Sequence, residues 1–182
     1  PSEVEEVRWV DLYDLKAEVL RTPDRFTPWL RIYLTDHLDR IFGARMMTLL
    51  DGYWADQAEP LGFRFVAPSL VVFDSPTQTG GCGVGQPAAG PFYCPADQKV
   101  YIDFGFYQRL EAELGFEGDF AMAYVLAHEY GHHVQNLLGV MDRRGGGNAQ
   151  SVRVELQADC LAGAWASRAN TEGRLEAGDF DE

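Results

Sequence analysis

The chain is poor in basic residues, cysteine and long apolar runs. It carries 15 Lys and Arg against 28 Asp and Glu, for a formal net charge of −13 and a pI of 4.6. Nucleic-acid binding needs basic patches, so this balance argues against a nucleic-acid partner. No apolar run approaches the roughly 20 residues that a membrane-spanning helix requires, which predicts a soluble piece. The three cysteines include no CxxC pair of the kind typical of metal sites.

The chain has four histidines, and two of them fall in one short motif, His128-Glu129-Tyr130-Gly131-His132. Residues four apart lie on the same face of a helix, so His128 and His132 could offer two imidazoles to one metal ion. Glu129 then lies beside that ion without binding it. Apolar neighbours before and after the motif favour a buried helix over a solvated one. The motif therefore predicts a zinc site with a general base next to it.

A catalytic zinc normally takes three protein ligands and a water, so a third ligand is needed. Residues 151–165 read as a second helix, on which Glu155 and Asp159 are four apart and share a face. Most other positions there are Val, Leu, Ala or Trp, surroundings in which an unpaired carboxylate is costly. We expect Glu155 to bind zinc and Asp159 to accept the free ring N–H of a ligand histidine. The alternative is that both acids lie on a solvated helix face.

Three blocks of sequence, in the order 82–103, 128–139 and 155–163, carry a resemblance to a known family. Together they resemble the putative neutral zinc metallopeptidase family of bacteria, from about Leu70 to Ala166. The resemblance implies a zinc peptidase of the gluzincin type, with two histidines from one helix and a glutamate from the next. It also implies an α+β fold: a predominantly helical zincin-like domain with a small β-sheet and the metal site between two core helices.

The resemblance also bears on domain organisation and location. Family members usually carry an N-terminal membrane helix and a further helical C-terminal region. We expect residues 1–29 to form an acidic N-terminal helix or linker, and residues 30–182 to form one zinc metallopeptidase-like domain that is truncated at both ends. The expected location is extracytoplasmic, with the full-length protein anchored to the membrane by an N-terminal helix. The expected partner is a peptide or protein substrate.

The three cysteines are expected to differ. Cys82 and Cys94 flank a loop rich in Gly and Pro, and a disulfide between them fits an exported protein. A second metal site is the alternative. Cys160 directly follows Asp159 and is expected to be a buried small hydrophobe, or to pair with a cysteine outside this sequence.

Periodicity and composition give a coarse map of the chain. Helices are predicted over residues 10–20, 30–57, 104–114 and 120–138. Asp119 is the expected N-cap of the last of these, Gly139 its end, and Gly131 a point where another backbone approaches. Strand-like segments are 62–68, 70–73 and 100–102, and residues 75–95 are predicted to be loop.

His37 is read as a surface residue. Gly81 to Gly85 lacks the Lys and Ser/Thr of a phosphate-binding loop, which excludes a nucleotide site.

The predicted site implies a mechanism. Zinc would activate a water, and Glu129 would take its proton and pass it to the leaving amine. The candidate oxyanion donors are His133, Tyr130, Tyr101 and Tyr124. The strand over 100–102 is expected to be a sheet edge that an extended peptide joins.

Two rival functions stay open. One is a catalytically silent, zinc-stabilised binding or scaffolding module at the cell envelope. The other is a zinc hydrolase that acts on a different amide, such as a cell-wall peptide. Glu129 favours an enzyme, because a structural zinc site has no use for a carboxylate beside the water.

Overall fold

A computed structural model of the protein describes residues 12–103, 105–106, 120–141 and 148–175. Its helices are α1 (Leu12–Arg21), α2 (Pro28–Ile32), α3 (Leu38–Leu61), α4 (Phe120–Leu137) and α5 (Asn148–Thr171). Its strands are β1 (Ser69–Val72), β2 (Thr77–Gln78), β3 (Val84–Gly85), β4 (Phe92–Cys94) and β5 (Lys99–Ile102). The predicted α+β class, mostly helical with a small sheet, is confirmed. Within these ranges no helix is both long enough and apolar enough to cross a membrane.

The chain divides into two compact units, with the boundary between Phe42 and Gly43. In the first unit, Val19 of α1 packs against Leu34 and Leu38. The helix predicted over 30–57 is present, but Tyr33–His37 forms a π-helical turn that joins α2 to α3. The periodicity did not predict this wider turn. His37 is exposed, as predicted.

The second unit contains a three-stranded sheet in the order β1-β5-β4. β5 pairs in parallel with β1 and antiparallel with β4, so it is the central strand. The prediction that residues 100–102 form a sheet edge is therefore wrong. Val100, Tyr101 and Ile102 are all buried, and a strand buried on both faces is typical of a sheet interior. Among the described strands, β4 is the edge that lies nearest α4.

The segment 75–95, predicted to be loop, contains more regular structure than expected. It holds β2, β3, a short 3-10 turn at Pro87–Ala89 and β4. Conversely, residues 63–68 form no strand. A disulfide joins Cys82 to Cys94, as predicted, and it ties the turn between β2 and β3 to the end of β4. Cys160 is an exposed free thiol, so the expectation that it is buried is wrong.

Helices α4 and α5 pack closely against each other. A Cβ added at Gly131 would lie 3.0 Å from the carbonyl oxygen and 3.2 Å from the Cα of Ala158 on α5. Gly131 is thus the point where a second backbone approaches, as predicted, and that backbone belongs to α5. α4 ends at Leu137, and Gly139, two residues later, has a φ of +67° that suits a residue without a Cβ. The predicted N-cap Asp119 and most of the helix predicted over 104–114 lie outside the described residues.

Candidate metal centre

The HExxH motif lies on α4, and its two histidines face α5. The ring centroids of His128 and His132 are 4.8 Å apart. The Nε2 atom of His128 and the Nε2 atom of His132 are each 3.2 Å from the same carboxylate oxygen of Glu155. Two residues of α4 and one of α5 therefore converge on one point, and the two histidines share a helix face as the motif spacing predicts.

The donor set and its spacing fit zinc. One potential ligand atom from each of His128, His132 and Glu155 lies within 4.8 Å of the other two. Tetrahedral ligands at about 2.0 to 2.1 Å from zinc are separated from one another by about 3.3 Å. The two N–O distances of 3.2 Å match that separation. Two imidazoles and one carboxylate, with a fourth position left for water, are a ligand set of catalytic zinc sites.

The other ring nitrogen of each histidine faces an oxygen. His128 Nδ1 is 2.7 Å from Oδ1 of Asp159, and His132 Nδ1 is 2.9 Å from Oε1 of Gln135. A ring N–H at Nδ1 leaves the lone pair of Nε2 free for a metal ion. The position of Asp159 is as the sequence predicted. Gln135 was missed, although its place three residues after His132 on a buried helix is the available signal.

The reason given for the two acids does not hold. The side chain of Glu155 is 55% exposed and that of Asp159 is 49% exposed, against 19% for His128 and 11% for His132. The cost of burying an unpaired carboxylate therefore does not explain why these two acids lie at the centre. The apolar composition of this helix was misleading because Leu156, next to Glu155, points outward and is 61% exposed. The α5 side of the centre is open to solvent, and the α4 side is buried.

Glu129 is the buried acid beside the centre. Only 7% of its surface is exposed. Burial raises its pKa to about 7; the ionised Glu155 acts in the same direction, while His132 and the backbone N–H of Tyr93 oppose it. A carboxyl group with a pKa near neutrality can both accept and release a proton at physiological pH. Glu129 does not belong to the ligand cluster, in agreement with its predicted position.

The four candidate oxyanion donors all bind elsewhere. Tyr130 donates to Asp51 on α3 over 2.6 Å. Tyr101 donates to Asp97 over 2.6 Å, and Tyr124 donates to the carbonyl of Asp159 over 3.1 Å. His133 is fully buried, and burial lowers its pKa. None of these groups is free to face a substrate carbonyl, so each has a structural role in this arrangement.

His133 belongs to a buried network that holds β4 against α4. Its Nε2 donates to the carbonyl of Val66 over 2.6 Å, so its Nδ1 accepts from the Tyr93 hydroxyl at 2.9 Å. Asn136 donates to the same hydroxyl over 3.0 Å. Burial raises the pKa of Tyr93 to about 12, so it stays a hydroxyl donor. Because the backbone of Tyr93 also reaches Glu129, this network fixes β4 beside Glu129.

Comparison with known proteins finds a family profile and several bacterial relatives. The profile of the family described as "Putative neutral zinc metallopeptidase" matches residues 34–182. Uncharacterized protein YpfJ of Escherichia coli K12 is 45% identical over 150 residues, which cover 78% of this chain and 52% of YpfJ. Uncharacterized protein Rv2575 of Mycobacterium tuberculosis H37Rv is 46% identical over 127 residues, which cover 67% of this chain and 42% of Rv2575. The chain spans about half the length of the curated relatives it matches.

A shorter match has a different character. Isopentenyl-diphosphate Delta-isomerase of Dinoroseobacter shibae is 67% identical over 43 residues, which cover 24% of this chain and 24% of that enzyme. A similarity confined to so small a part of both chains carries no activity from one to the other. No solved structure matches the chain significantly.

Proposed function

Because this chain belongs to the putative neutral zinc metallopeptidase family, we propose that it hydrolyses peptide bonds at the centre formed by α4 and α5. His128, His132 and Glu155 would hold the zinc ion. Glu129 would be the general base. Zinc, when bound there, supplies a Lewis acid that makes water a better nucleophile and polarises a carbonyl.

One observation carries the proposal: a buried carboxyl group, Glu129, with a pKa of about 7, lies beside a cluster of three ligands. A structural zinc site is normally closed by four protein ligands. Within the described residues, only three such groups converge here, and the Glu155 side is open to solvent. This arrangement favours a catalytic site over the silent scaffold.

The proton steps fall to Glu129. Its carboxylate takes a proton from the attacking water and delivers it to the departing amine, so the group returns to its starting state. The Tyr93 backbone N–H binds this carboxylate and orients it, and burial raises its pKa above the ordinary value. Asp159 and Gln135 accept on the Nδ1 sides of His128 and His132, which leaves Nε2 of each ring as the atom that would bind zinc.

The proposed substrate is an extended peptide or protein segment, and β4 replaces residues 100–102 as the strand that it joins. β4 is an edge strand among those described, and its Tyr93 contacts Glu129 through the backbone. Pairing with a strand edge holds a peptide by its main chain, which suits a protease of broad sequence preference. A cell-wall peptide would be held in the same way.

We also propose an extracytoplasmic location with a membrane anchor elsewhere in the full-length protein. Support comes from the Cys82–Cys94 disulfide, because such bonds persist in oxidising compartments. The acidic composition gives no support to a nucleic-acid partner.

The test combines metal analysis with a peptide-library assay read by mass spectrometry. We expect the purified protein to hold one zinc ion and to cleave peptides, and chelation to abolish cleavage. The Glu129→Gln variant should retain zinc and lose roughly 10²- to 10⁴-fold in kcat, the usual contribution of a general base. Glu59→Gln, a change at an exposed residue of α3, is the matched control and should leave cleavage unchanged.

A zinc-loaded wild type that cleaves no better than Glu129→Gln would favour the scaffold. Cleavage of cell-wall peptides alone, with no activity on unmodified peptides, would favour the amide hydrolase. Wild-type protein without stoichiometric zinc would contradict both zinc enzymes and the zinc-stabilised scaffold.

A further inference from the structure

Gln135 is a fully buried amide on α4, one turn beyond Gly131. We propose that it is a positioning residue of the metal centre, which sets the tautomer of His132 and holds the turn of α5 that carries Glu155. The inference rests on the proposed zinc site. It assigns a role that the HExxH motif does not contain.

The hydrogen bonds of Gln135 determine which way its amide points. Its nitrogen lies 2.7 Å from the carbonyl oxygen of Val154 and 3.0 Å from Oε1 of Gln157. A backbone carbonyl can only accept, so the atom that faces Val154 must be the NH2 group. The amide oxygen therefore faces His132, at 2.9 Å from its Nδ1.

The orientation of the amide then determines the tautomer of His132. An amide oxygen has no proton to give, so Nδ1 of His132 must donate. In the neutral ring the proton is then on Nδ1, and the lone pair is on Nε2, which faces Glu155 at 3.2 Å. Without Gln135, nothing in this contact would select that tautomer. Neutral rings in the other tautomer are not ready to bind a metal ion, so they weaken the apparent affinity for it.

The second role of Gln135 is to connect the two helices. The carbonyl to which it donates belongs to the peptide group between Val154 and Glu155, next to the proposed ligand. Val154 lies on the same α5 segment as Ala158, whose backbone packs on Gly131. One buried side chain thus contacts the imidazole from α4 and the backbone that bears the carboxylate from α5. Loss of Gln135 should therefore make the distance between the imidazole and the carboxylate less fixed, and should also remove the preference for one tautomer.

The first experiment uses the metal-free protein with the change Glu155→Ala at an exposed residue, because the Glu155 carboxylate, 3.2 Å from Nε2 of His132, would otherwise compete for a proton on that nitrogen. Long-range ¹H–¹⁵N NMR correlations of the imidazole rings show which nitrogen carries the proton, with only four histidines to assign. At a pH where the rings are neutral, we expect His132 to carry its proton on Nδ1. A proton on Nε2 of His132 would overturn the inference.

Two variants then separate the two roles of Gln135. Gln135→Leu removes all its hydrogen bonds, so His132 should lose its single tautomer and zinc affinity should fall about 10- to 100-fold. Gln135→Glu keeps an oxygen opposite Nδ1 but cannot donate to Val154, so the tautomer should persist while zinc affinity still falls. Zinc affinity is measured by competition with a chelator, at protein concentrations and temperatures where each variant is folded.

Asn136→Ala is the matched control. Asn136 is the next residue on α4 and donates to Tyr93, not to a proposed ligand. Its loss should leave the His132 tautomer and the zinc affinity unchanged. If Asn136→Ala weakens zinc binding as much as Gln135→Leu, or if Gln135→Leu keeps the wild-type tautomer and affinity, the inference is wrong. A wild type that binds no zinc, while the metal-free Glu155→Ala protein has His132 protonated on Nδ1, would contradict the proposed function alone.

Discussion

The Glu129→Gln substitution should change how the stability of the metal-free protein depends on pH. The pKa of Glu129 rises from 4.5 to about 7 on folding, mainly because the group is buried. Between these values the folded protein binds more protons than the unfolded protein, so the free energy of unfolding falls as pH rises. The separation of the two pKa values corresponds to about 3 kcal/mol, lost between about pH 4.5 and 7. Glutamine has no proton to lose.

The assay is urea unfolding of both proteins in EDTA at a series of pH values from about 4 to 8. At the acidic end, the protonated carboxyl and the amide are both neutral, and their stabilities should be close. The Gln variant should become the more stable protein as pH rises, by about 3 kcal/mol at about pH 8. Zinc should reduce that difference because a nearby cation favours the ionised carboxylate. A difference that does not vary with pH would refute this account of Glu129.

Three further predictions concern packing, the disulfide and the metal. Gly131→Ala should destabilise the protein by about 1 to 2 kcal/mol and weaken zinc binding, because its Cβ would press on the Ala158 backbone; Gly163→Ala, with no atom within 4 Å of the new Cβ, should instead stabilise by up to about 1 kcal/mol. Urea unfolding measures both, and equal effects would contradict the close approach. Replacing Cys82 and Cys94 by Ser should cost about 3 kcal/mol for a separation of 12 residues, and an unchanged urea midpoint would count against it. Zinc at about 1,000 times its Kd should stabilise the protein by about 4 kcal/mol in thermal unfolding, and chelator should reverse the gain; no shift would mean no binding to the folded state.

The helical part of the candidate site was accessible from the sequence because helix geometry is local. His128 and His132 are four apart, and so are Glu155 and Asp159, which fixes each pair on one face before any tertiary contact is known. Which faces meet is a tertiary question. The sequence paired them first on the cost of burying the two acids, a premise that is wrong because Glu155 and Asp159 are about half exposed; the family resemblance indicates the same pair of helices.

Gln135 and the strand order could not be predicted in the same way. The partners of Gln135 include a backbone carbonyl on another helix, and no spacing in the sequence reports that contact. Strands β2, β3 and β4 have two or three residues each, too few for an alternating pattern to show. The place of β5 in the middle of the sheet depends on its pairing with β1, a contact between distant segments. The exposure of Leu156 could not be predicted for the same reason, since composition alone does not tell which side of α5 is covered.

The proposed ligands His128 and Glu155 are 27 residues apart, on two helices that follow each other in the chain. By contrast, Tyr130 reaches Asp51 across 79 residues, and His133 reaches Val66 across 67. Closing the smaller loop loses less chain entropy, so we expect the helical hairpin to assemble before it docks on the remainder of its unit. The zinc site would then already be formed in the transition state for folding. Added zinc should therefore speed refolding more than it slows unfolding.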